Sequence, residues 1–354
     1  MKVRYVLVGF GGIAENRVAK EGFACDRKRF KPLRNAVLVG ATDLNPARQQ
    51  AAEALGLKWY PSLDAVLADK TVDGVYIATN NRSHVPLATL ALKAGKHVIV
   101  EKPIATSVAD ATKLSKLAKA KKLSLTVDHM MVNNAWNIAG KAAMKAGKLG
   151  KVNDCCFHME FAYGYDPAEA ATWRCSKVEE MGGPIGDVAS HCFYVAEFMF
   201  GKRITKVAAS YYPKTMKIKS EDGAYIKFFF EDGTHGSVNA AFNELRGGLA
   251  GTLTNLGYEI YGDKAAMRGY GTMFQLSGYK DEPIAIRLEI DDGKAVRKVV
   301  PSKVQNIYST LIDGHAKSVQ TKRYLTGDDA IHNLALCAAA HESAQKGGKV
   351  VCVR

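Results

Sequence analysis

The chain has 354 residues, of which 47% are hydrophobic and 24% charged, with a mean hydropathy of −0.13. This composition excludes a wholly disordered or collagen-like chain, and the length predicts two domains. No apolar run approaches the roughly 20 residues that a bilayer span needs, so no membrane partner is expected. The net charge of +14 favours an anionic partner: nucleic acid, a membrane surface or an anionic ligand.

The basic residues are concentrated in the first third of the chain. Residues Met1 to Leu125 carry a net charge of +11, largely in an Arg27 to Arg34 segment and in Lys113 to Lys122. Such clusters are usually solvated surface. We expect this basicity also to favour an anionic cofactor near the first cluster. Nucleic-acid binding rests on net charge alone, so no nucleic-acid partner is expected.

The cysteine pattern predicts a reducing compartment. The chain has 7 cysteines, an odd number, and no C-x-x-C motif, which indicates reduced thiols rather than a disulfide framework. The N-terminus runs almost directly into an apolar strand without a secretory leader, so we expect a cytoplasmic protein. No clustered His/Cys spacing indicates a metal site.

The first half alternates strand and helix patterns. Alternation of this kind predicts an α/β domain with a parallel, doubly wound sheet. The predicted strands are Val3–Val8, Ala36–Ala41, Gly74–Ala78, His97–Val100 and Leu123–Val127. The predicted helices are Pro46–Leu55, Leu63–Ala68, Val85–Ala94 and Ser107–Lys122, the last capped by Ser107.

The second half follows a different pattern, with the two-residue alternation of half-buried strands. The predicted strands are Val152–Phe161, Ile204–Tyr212, Ala224–Phe230, Gly236–Phe242, Tyr258–Gly262 and Ile284–Ile290. Helices are predicted near 135–146, 185–200, 307–320 and 328–345. We therefore predict an α+β domain with a mainly antiparallel sheet, and domains at 1–127 and 128–354.

A glycine-rich turn follows the first strand. Gly9-Phe10-Gly11-Gly12-Ile13-Ala14 has the form G-x-G-x-x-A. Gly9 permits a tight turn, Gly11 lets the backbone approach a pyrophosphate, and Ala14 allows close helix packing. An ordinary glycine turn is the alternative, but the strand before the loop and the helix after it favour dinucleotide binding.

Asp43 follows the second strand. A carboxylate there can accept hydrogen bonds from both adenosine ribose hydroxyls, and it repels a 2′-phosphate, so it favours NAD over NADP. The alternative is a turn or N-cap role before Asn45-Pro46. Arg48 weakens the preference because it could meet a 2′-phosphate, so NADP is not excluded.

Two further sets of residues are candidates for transferring a substrate proton. Lys102, in Glu101-Lys102-Pro103, follows the fourth strand, where ligands of such sheets bind; Pro103 restricts its backbone. Asp187 and His191 share one helix face at four-residue spacing, and a neutral His there can take a hydroxyl proton. The alternatives are a surface lysine and a structural Asp–His pair. Candidate substrate contacts are Tyr163, Trp173 and Arg174, for which core or interface packing is an equal alternative; His129 is a weaker candidate.

In combination these motifs resemble the glucose–fructose oxidoreductase / inositol dehydrogenase / MocA (Gfo/Idh/MocA) family. Besides the glycine loop and Glu101-Lys102-Pro103, Thr79-Asn80-Asn81-Arg82-Ser83-His84 resembles the family's T-P-N-x-x-H loop, with Asn80 in place of Pro. Gly182-Gly183-Pro184, Asp187 and His191 resemble its G-G-G-x-x-x-D-x-G-x-H segment. Ala189 and Tyr194 depart from that pattern, and an Arg common after the fifth strand is absent, so we expect the substrate contacts, more than the reaction type, to differ from the family's.

The resemblance implies a Rossmann domain, an open-sheet domain, and hydride transfer between NAD or NADP and a sugar or cyclitol hydroxyl. By position, Lys102, Asp187 and His191 become the catalytic set. Nucleotide contacts fall on Thr79, Asn80, Asn81, His84, Glu101 and Lys102 besides the glycine loop and Asp43. A homodimer or homotetramer that buries the open sheet is also implied. Two alternatives remain: a glycoside-processing enzyme that keeps and recycles its NAD, and a non-catalytic nucleotide sensor.

Overall fold

The chain folds into two units, which are both discontinuous in sequence. The computed structural model describes residues 1–280, 282 and 284–353. One unit contains residues 1–130, 277–279 and 305–331, and the other contains 131–276, 280–304 and 332–354, apart from the residues outside the description. The predicted domains 1–127 and 128–354 are contiguous segments, whereas the chain returns to the first unit near its end.

The first unit is built on a parallel sheet of six strands within the described residues. The strand order is β3-β2-β1-β4-β5-β6, and every pair is parallel. The bounds are β1 Val3–Val8, β2 Ala36–Thr42, β3 Lys58–Trp59, β4 Gly74–Ile77, β5 His97–Val100 and β6 Leu125–Val127. Strand β4 is buried throughout, as expected for a strand covered on both faces. The predicted doubly wound sheet is confirmed.

Helices connect these strands, and side-chain caps fix where several of them begin. Their bounds are Ala14–Gly22 (π-helical), Pro46–Arg48 (3₁₀), Gln49–Glu53, Leu63–Ala68, Asn81–Lys93, Val108–Lys121 and Ile307–Gln320. The Ser107 hydroxyl accepts the Asp110 N–H at 3.1 Å, as predicted. The predicted start at Val85 is wrong, because the Asn80 side chain caps the Ser83 N–H and lets the helix begin at Asn81.

The basic segment Arg27 to Arg34 lies at the amino ends of the strands. It follows the Ala14–Gly22 helix, which runs back from the carboxyl edge of β1, and it leads to Asn35, whose carbonyl accepts the Val3 N–H at 2.7 Å. The guanidinium of Arg29 stacks on the Tyr279 ring, 4.8 Å from its centroid. The expectation that this cluster favours a bound cofactor is therefore wrong, because a glycine loop occupies the opposite edge of a parallel sheet.

The second unit contains a nine-stranded sheet within the described residues, in the order β16-β15-β14-β13-β7-β10-β9-β8-β17. Only the β7–β10 pair is parallel there. The bounds are β7 Val152–Glu160, β8 Ile204–Tyr211, β9 Gly223–Phe230, β10 His235–Ala241, β13 Leu256–Gly262, β14 Ala266–Tyr270, β15 Arg287–Asp291, β16 Val296–Lys298 and β17 Val351–Cys352, with a separate hairpin of β11 Gly248–Leu249 and β12 Thr252–Leu253. The mainly antiparallel α+β prediction is confirmed.

One face of this sheet is covered by helices. In β9, Ile226, Phe228 and Phe230 are buried, while Tyr225 and Lys227 point to the other, exposed face. Phe200 stacks on Phe230 with ring centroids 4.6 Å apart, which places its helix on the buried face. Helices and short helical turns of this unit are Met130–Asn133, Ala135–Lys145, Pro167–Ala170, Trp173–Ser176, Val178–Glu180, Ile185–Ala189 and Ser190–Phe200, and helix Asp328–Gln345 follows Ile307–Gln320.

Two kinds of feature are absent from the described part of the chain. None of the helices it contains is long and apolar enough to cross a bilayer. Within the same residues, no group of three or more His, Cys, Asp or Glu side chains is arranged to hold a metal ion.

Candidate active site

The glycine loop lies at the carboxyl end of β1, where the Ala14–Gly22 helix begins. Gly9 has φ +88°, and a Cβ there would lie 2.8 Å from the Ala78 carbonyl oxygen, so only glycine fits. A Cβ on Gly11 or Gly12 would meet no atom within 4 Å. The loop therefore presents bare backbone to open space, while Ala14 is buried against the fold.

Asp43 is tied to this loop from the carboxyl end of β2. Its Oδ2 accepts the Phe10 N–H at 2.6 Å, and its Oδ1 accepts the Asn45 N–H at 2.8 Å. The carboxylate thus makes the turn contact that the alternative interpretation predicted, and it also lies beside the loop. Arg48 donates to the Phe10 carbonyl at 2.7 Å and pairs with Glu15. A phosphate would have to compete with the Glu15 carboxylate for the Arg48 guanidinium.

His84 links two loops at the carboxyl edge of the same sheet. Its Nδ1 lies 2.8 Å from the Pro103 carbonyl oxygen and its Nε2 3.3 Å from that of Thr79. Burial lowers the pKa of His84, so the ring is neutral and has one N–H, which the shorter contact assigns to Nδ1. His84 and Asn81 are both buried. The histidine therefore hydrogen-bonds the Lys102-Pro103 segment to the Asn81–Lys93 helix through Nδ1, while Nε2 only lies near the Thr79 carbonyl.

Beside Lys102, two carboxyl groups meet one tyrosine hydroxyl. The Tyr76 hydroxyl lies 2.5 Å from Asp128 Oδ2 and 3.0 Å from Glu101 Oε1. Burial and the neighbouring Glu101 charge raise the pKa of Asp128 well above its usual range. Burial lowers the pKa of His129 to about 4, so this ring is neutral. Sequence reasoning missed Tyr76 and Asp128, because neither belongs to a recognisable motif.

In the second unit, Asp187 and His191 lie near the start of a helix spanning 185–200. Its first five residues, Ile185–Ala189, form π-helical turns, and Ser190–Phe200 continues as an α-helix. π-Helical turns are frequent at functional sites. Asp187 and His191 are both buried. Arg174 Nε lies 3.3 Å from Asp187 Oδ2, so a guanidinium supports the buried carboxylate.

The predicted aromatic contacts lie in the same unit. The Arg174 guanidinium stacks on Trp173, 4.7 Å from the ring centroid. The Tyr163 hydroxyl lies 3.3 Å from Thr172 Oγ1, and its ring packs edge-on against Phe242. The structure therefore brings Trp173, Arg174 and Asp187 together, and Tyr163 reaches the residue that precedes Trp173.

Two family models match the chain. One, described as an oxidoreductase family with an NAD-binding Rossmann fold, matches residues 3–129. The other, described as a GFO/IDH/MocA C-terminal domain, matches residues 139–268. The chain belongs to the Gfo/Idh/MocA oxidoreductase family. The family resemblance of the sequence motifs is thereby confirmed.

Individual relatives of this Gfo/Idh/MocA chain are similar over most of its length. It is 26% identical to 1,5-anhydro-D-fructose reductase of Ensifer adhaerens over 291 residues, and the aligned segment covers 81% of each chain. It is 25% identical over 224 residues to D-xylose dehydrogenase of Paenarthrobacter nicotinovorans, covering 58% of this chain and 57% of that one. Aldose-aldose oxidoreductase from Caulobacter crescentus shares the fold at a TM-score of 0.85 and 21% identity, with 99% and 100% of the chains covered.

The residues of the Rossmann unit fit the dinucleotide that this family binds. A pyrophosphate needs close backbone approach and unoccupied N–H groups at a helix start. Gly11 and Gly12 leave that space open, and Asp43 lies at the end of the neighbouring strand beside them. The cofactor of this family member is therefore a nicotinamide dinucleotide, bound by the Rossmann domain.

Proposed function

We propose that this protein transfers hydride between NAD and a secondary hydroxyl or carbonyl group of a sugar, glycoside or cyclitol. The observation that carries the proposal is the position of Lys102 at the carboxyl end of β5, the edge at which a Rossmann unit binds its ligands. The names of the two sequence relatives, a reductase and a dehydrogenase of sugars, support this substrate class.

The proton of the substrate hydroxyl is handled by Lys102 and His191 in this proposal. When bound, the nicotinamide ring supplies the hydride acceptor or donor. Oxidation then requires that the hydroxyl oxygen lose its proton, which the neutral imidazole of His191 accepts while Lys102 hydrogen-bonds the same oxygen. In reduction the two residues return the proton to the carbonyl oxygen.

Asp187 positions the reacting hydroxyl and His191. Its buried carboxylate is held by Arg174, which is itself stacked on Trp173. A charge-assisted contact of this kind fixes the carboxylate in one place. We further propose that His129, Tyr163, Trp173 and Arg174 contribute to the substrate side.

Nucleotide binding is assigned to the glycine loop, Asp43, Thr79, Asn80, Asn81 and Glu101, with His84 holding the Pro103 turn. The pairing of Arg48 with Glu15 supports NAD over NADP. Arg48 is the arginine that could meet a 2′-phosphate, and its guanidinium already contacts Glu15 and the Phe10 carbonyl. The Asp43 carboxylate would repel that phosphate as well.

The exposed face of the nine-stranded sheet supports a homodimer or homotetramer. Tyr225 is 46% exposed and Tyr261 36% exposed, and the strand register puts both on that face. We propose that a second copy covers them in the cytoplasm. Light scattering after size exclusion would give twice or four times the chain mass, and a strictly monomeric mass would contradict it.

The activity is tested with a panel of pyranoses, glycosides and inositols, each mixed with NAD or NADP. We expect reduced nicotinamide to accumulate with at least one sugar or cyclitol and NAD. Substrate conversion without accumulation of NADH would instead favour the enzyme that recycles its cofactor. Nucleotide binding without any conversion would favour a sensor.

A further inference from the structure

The loop before the 185–200 helix is enclosed on two sides. A Cβ on Gly182 would lie 2.6 Å from the Trp173 carbonyl oxygen and 2.9 Å from that of Arg174. A Cβ on Gly183, which has φ +86°, would lie 2.4 Å from Glu221 Oε2. Close approach of the Trp173–Arg174 backbone therefore requires glycine at 182. The positive φ requires it at 183, which lies against the Glu221 carboxylate.

Glu221 makes a specific contact with this helix start. Its Oε1 accepts the N–H of Ile185, the first residue of the π-helical turns, at 2.9 Å. The first N–H groups of a helix have no partner within the helix. An acceptor with negative charge satisfies such a group and interacts favourably with the helix dipole. Asp187 and His191 are the second and sixth residues after Ile185.

Few charges face Glu221, and the nearest are paired with each other. Lys214 favours the ionised carboxyl and Asp222 opposes it, but Lys214 donates to Asp222 at 2.5 Å. Burial and, after it, the Glu221 charge raise the pKa of the Tyr211 hydroxyl. The backbone N–H groups of Ile185 and of Glu221 itself also lower the pKa of Glu221.

We propose that Glu221 is a positioning residue, whose carboxylate fixes the start of the 185–200 helix and so places Asp187 and His191 for proton transfer. This inference rests on the proposed function for its effect on turnover. The Gly182-Gly183 pair serves the same purpose, because it lets the carboxylate and the Arg174 backbone approach the helix start together.

The ionisation of Glu221 gives a pH dependence by which the inference can be tested. Burial raises the pKa of Glu221 to about 7, against the lowering effect of the Ile185 N–H. Below that pH the neutral acid still offers an oxygen to Ile185 but lacks the charge that interacts with the helix. Glu221→Gln reproduces this neutral form at every pH and keeps the acceptor oxygen.

The test compares kcat against pH for the wild type, Glu221→Gln and a control, Glu179→Gln, which removes an exposed carboxylate three residues before Gly182. At about pH 8, E221Q should lose about fivefold in kcat, the size expected for a charge at a helix terminus, with the KM for NAD unchanged. At about pH 5.5, where the wild-type carboxyl is protonated, the wild type and E221Q should coincide. E179Q should follow the wild type throughout. Superimposable profiles of E221Q and the wild type would overturn the inference.

A second readout does not depend on turnover. In ¹³C-histidine-labelled protein, the ring resonance of His191, assigned by its loss in H191N, should show an inflection near the Glu221 pKa of about 7. E221Q should lack that inflection, and a His191 resonance unaltered by E221Q would overturn the inference. If no sugar is converted by the wild type but the inflection depends on Glu221, the proposed function fails and the positioning stands.

Discussion

Gly9 and Gly11 lie two residues apart but lack side chains for different physical reasons. Gly9 needs its positive φ and its contact with the Ala78 carbonyl, so it serves the folded chain. Gly11 has open space around it, so the fold itself does not exclude a side chain there. The proposed nucleotide site accounts for its bare backbone, because a pyrophosphate must approach closely.

The two glycines predict different outcomes on substitution by alanine. Gly9→Ala should lower the free energy of unfolding by about 2 kcal/mol through backbone strain, and it should also impair NAD binding. Gly11→Ala should leave stability within about 0.5 kcal/mol of wild type. It should still weaken NAD binding by about tenfold, because a close hydrogen bond to the phosphates is lost. Urea unfolding and calorimetric titration measure both effects; equal NAD affinity in G11A and wild type would contradict the loop assignment.

The pKa of Glu221 predicts a pH dependence of stability. Its folded-state value of about 7 lies above the ordinary 4.5, so folding favours the protonated acid. The wild type is therefore penalised progressively as the pH rises from 4.5 to about 7, by about 3 kcal/mol in total. E221Q does not titrate. The stability of E221Q relative to wild type should rise over this window in urea unfolding, and a constant difference would contradict the assigned pKa.

Secondary-structure elements were predicted well where burial is uniform and poorly where it depends on distant contacts. The predicted β1 and β5 agree with the structure at both ends, because each is an apolar run bounded by turn signals. The strands β3, β11, β12, β14, β16 and β17 were missed. β17 has only two residues and exists because it pairs with β8 from far along the chain, and β14 contains a glycine that weakens its pattern.

Helix starts were likewise predictable where the capping side chain is close in sequence, and unpredictable where it comes from a distant residue. Ser107 was predictable as a cap because Asp110 follows three residues later and the hydrogen bond is local. The cap by Glu221 was not, because its carboxylate reaches Ile185 from 36 residues away. Likewise, the motifs that contain Lys102, Asp187 and His191 can be recognised in the sequence, whereas the Tyr76–Asp128 contact depends on the pairing of separate strands.

The Ser107 cap predicts a graded effect on the Val108–Lys121 helix. Ser107→Ala removes the acceptor for the Asp110 N–H and should lower the free energy of unfolding by about 1 kcal/mol. Ser107→Gly, which lets water reach the same N–H, should cost only a few tenths of a kcal/mol. Denaturant unfolding of the two variants checks this order. Equal stability of S107A and wild type would show that the cap does not contribute.

At the scale of the whole molecule, charge proved a poor guide to the binding site. The net charge of +14 suggested an anionic partner, but the Arg27 to Arg34 segment lies at the amino edge of the Rossmann sheet. The proposed anion site instead consists of uncharged backbone at the glycine loop. The chain's return to the first unit at residues 305–331 was also hidden from a contiguous domain prediction.

Nucleotide preference gives a prediction for the intact protein. At a concentration of about 100 times its Kd, NAD should raise the free energy of unfolding by about 2.7 kcal/mol. NADP at the same concentration should stabilise less, because the Asp43 carboxylate repels its 2′-phosphate. Asp43→Asn should narrow the difference in thermal midpoint between the two nucleotides. A larger shift with NADP than with NAD in the wild type would contradict the proposed preference.

The central claim is that Lys102 and His191 move the substrate proton while the Rossmann unit holds the nucleotide. Its most direct test is the rate of sugar-dependent NAD reduction in the wild type, Lys102→Ala and His191→Ala, measured beside the Kd for NAD. The account predicts that each variant loses about 100-fold or more in kcat, the usual contribution of a general acid or base, while the Kd for NAD changes less than about threefold. Full turnover in both variants would contradict it.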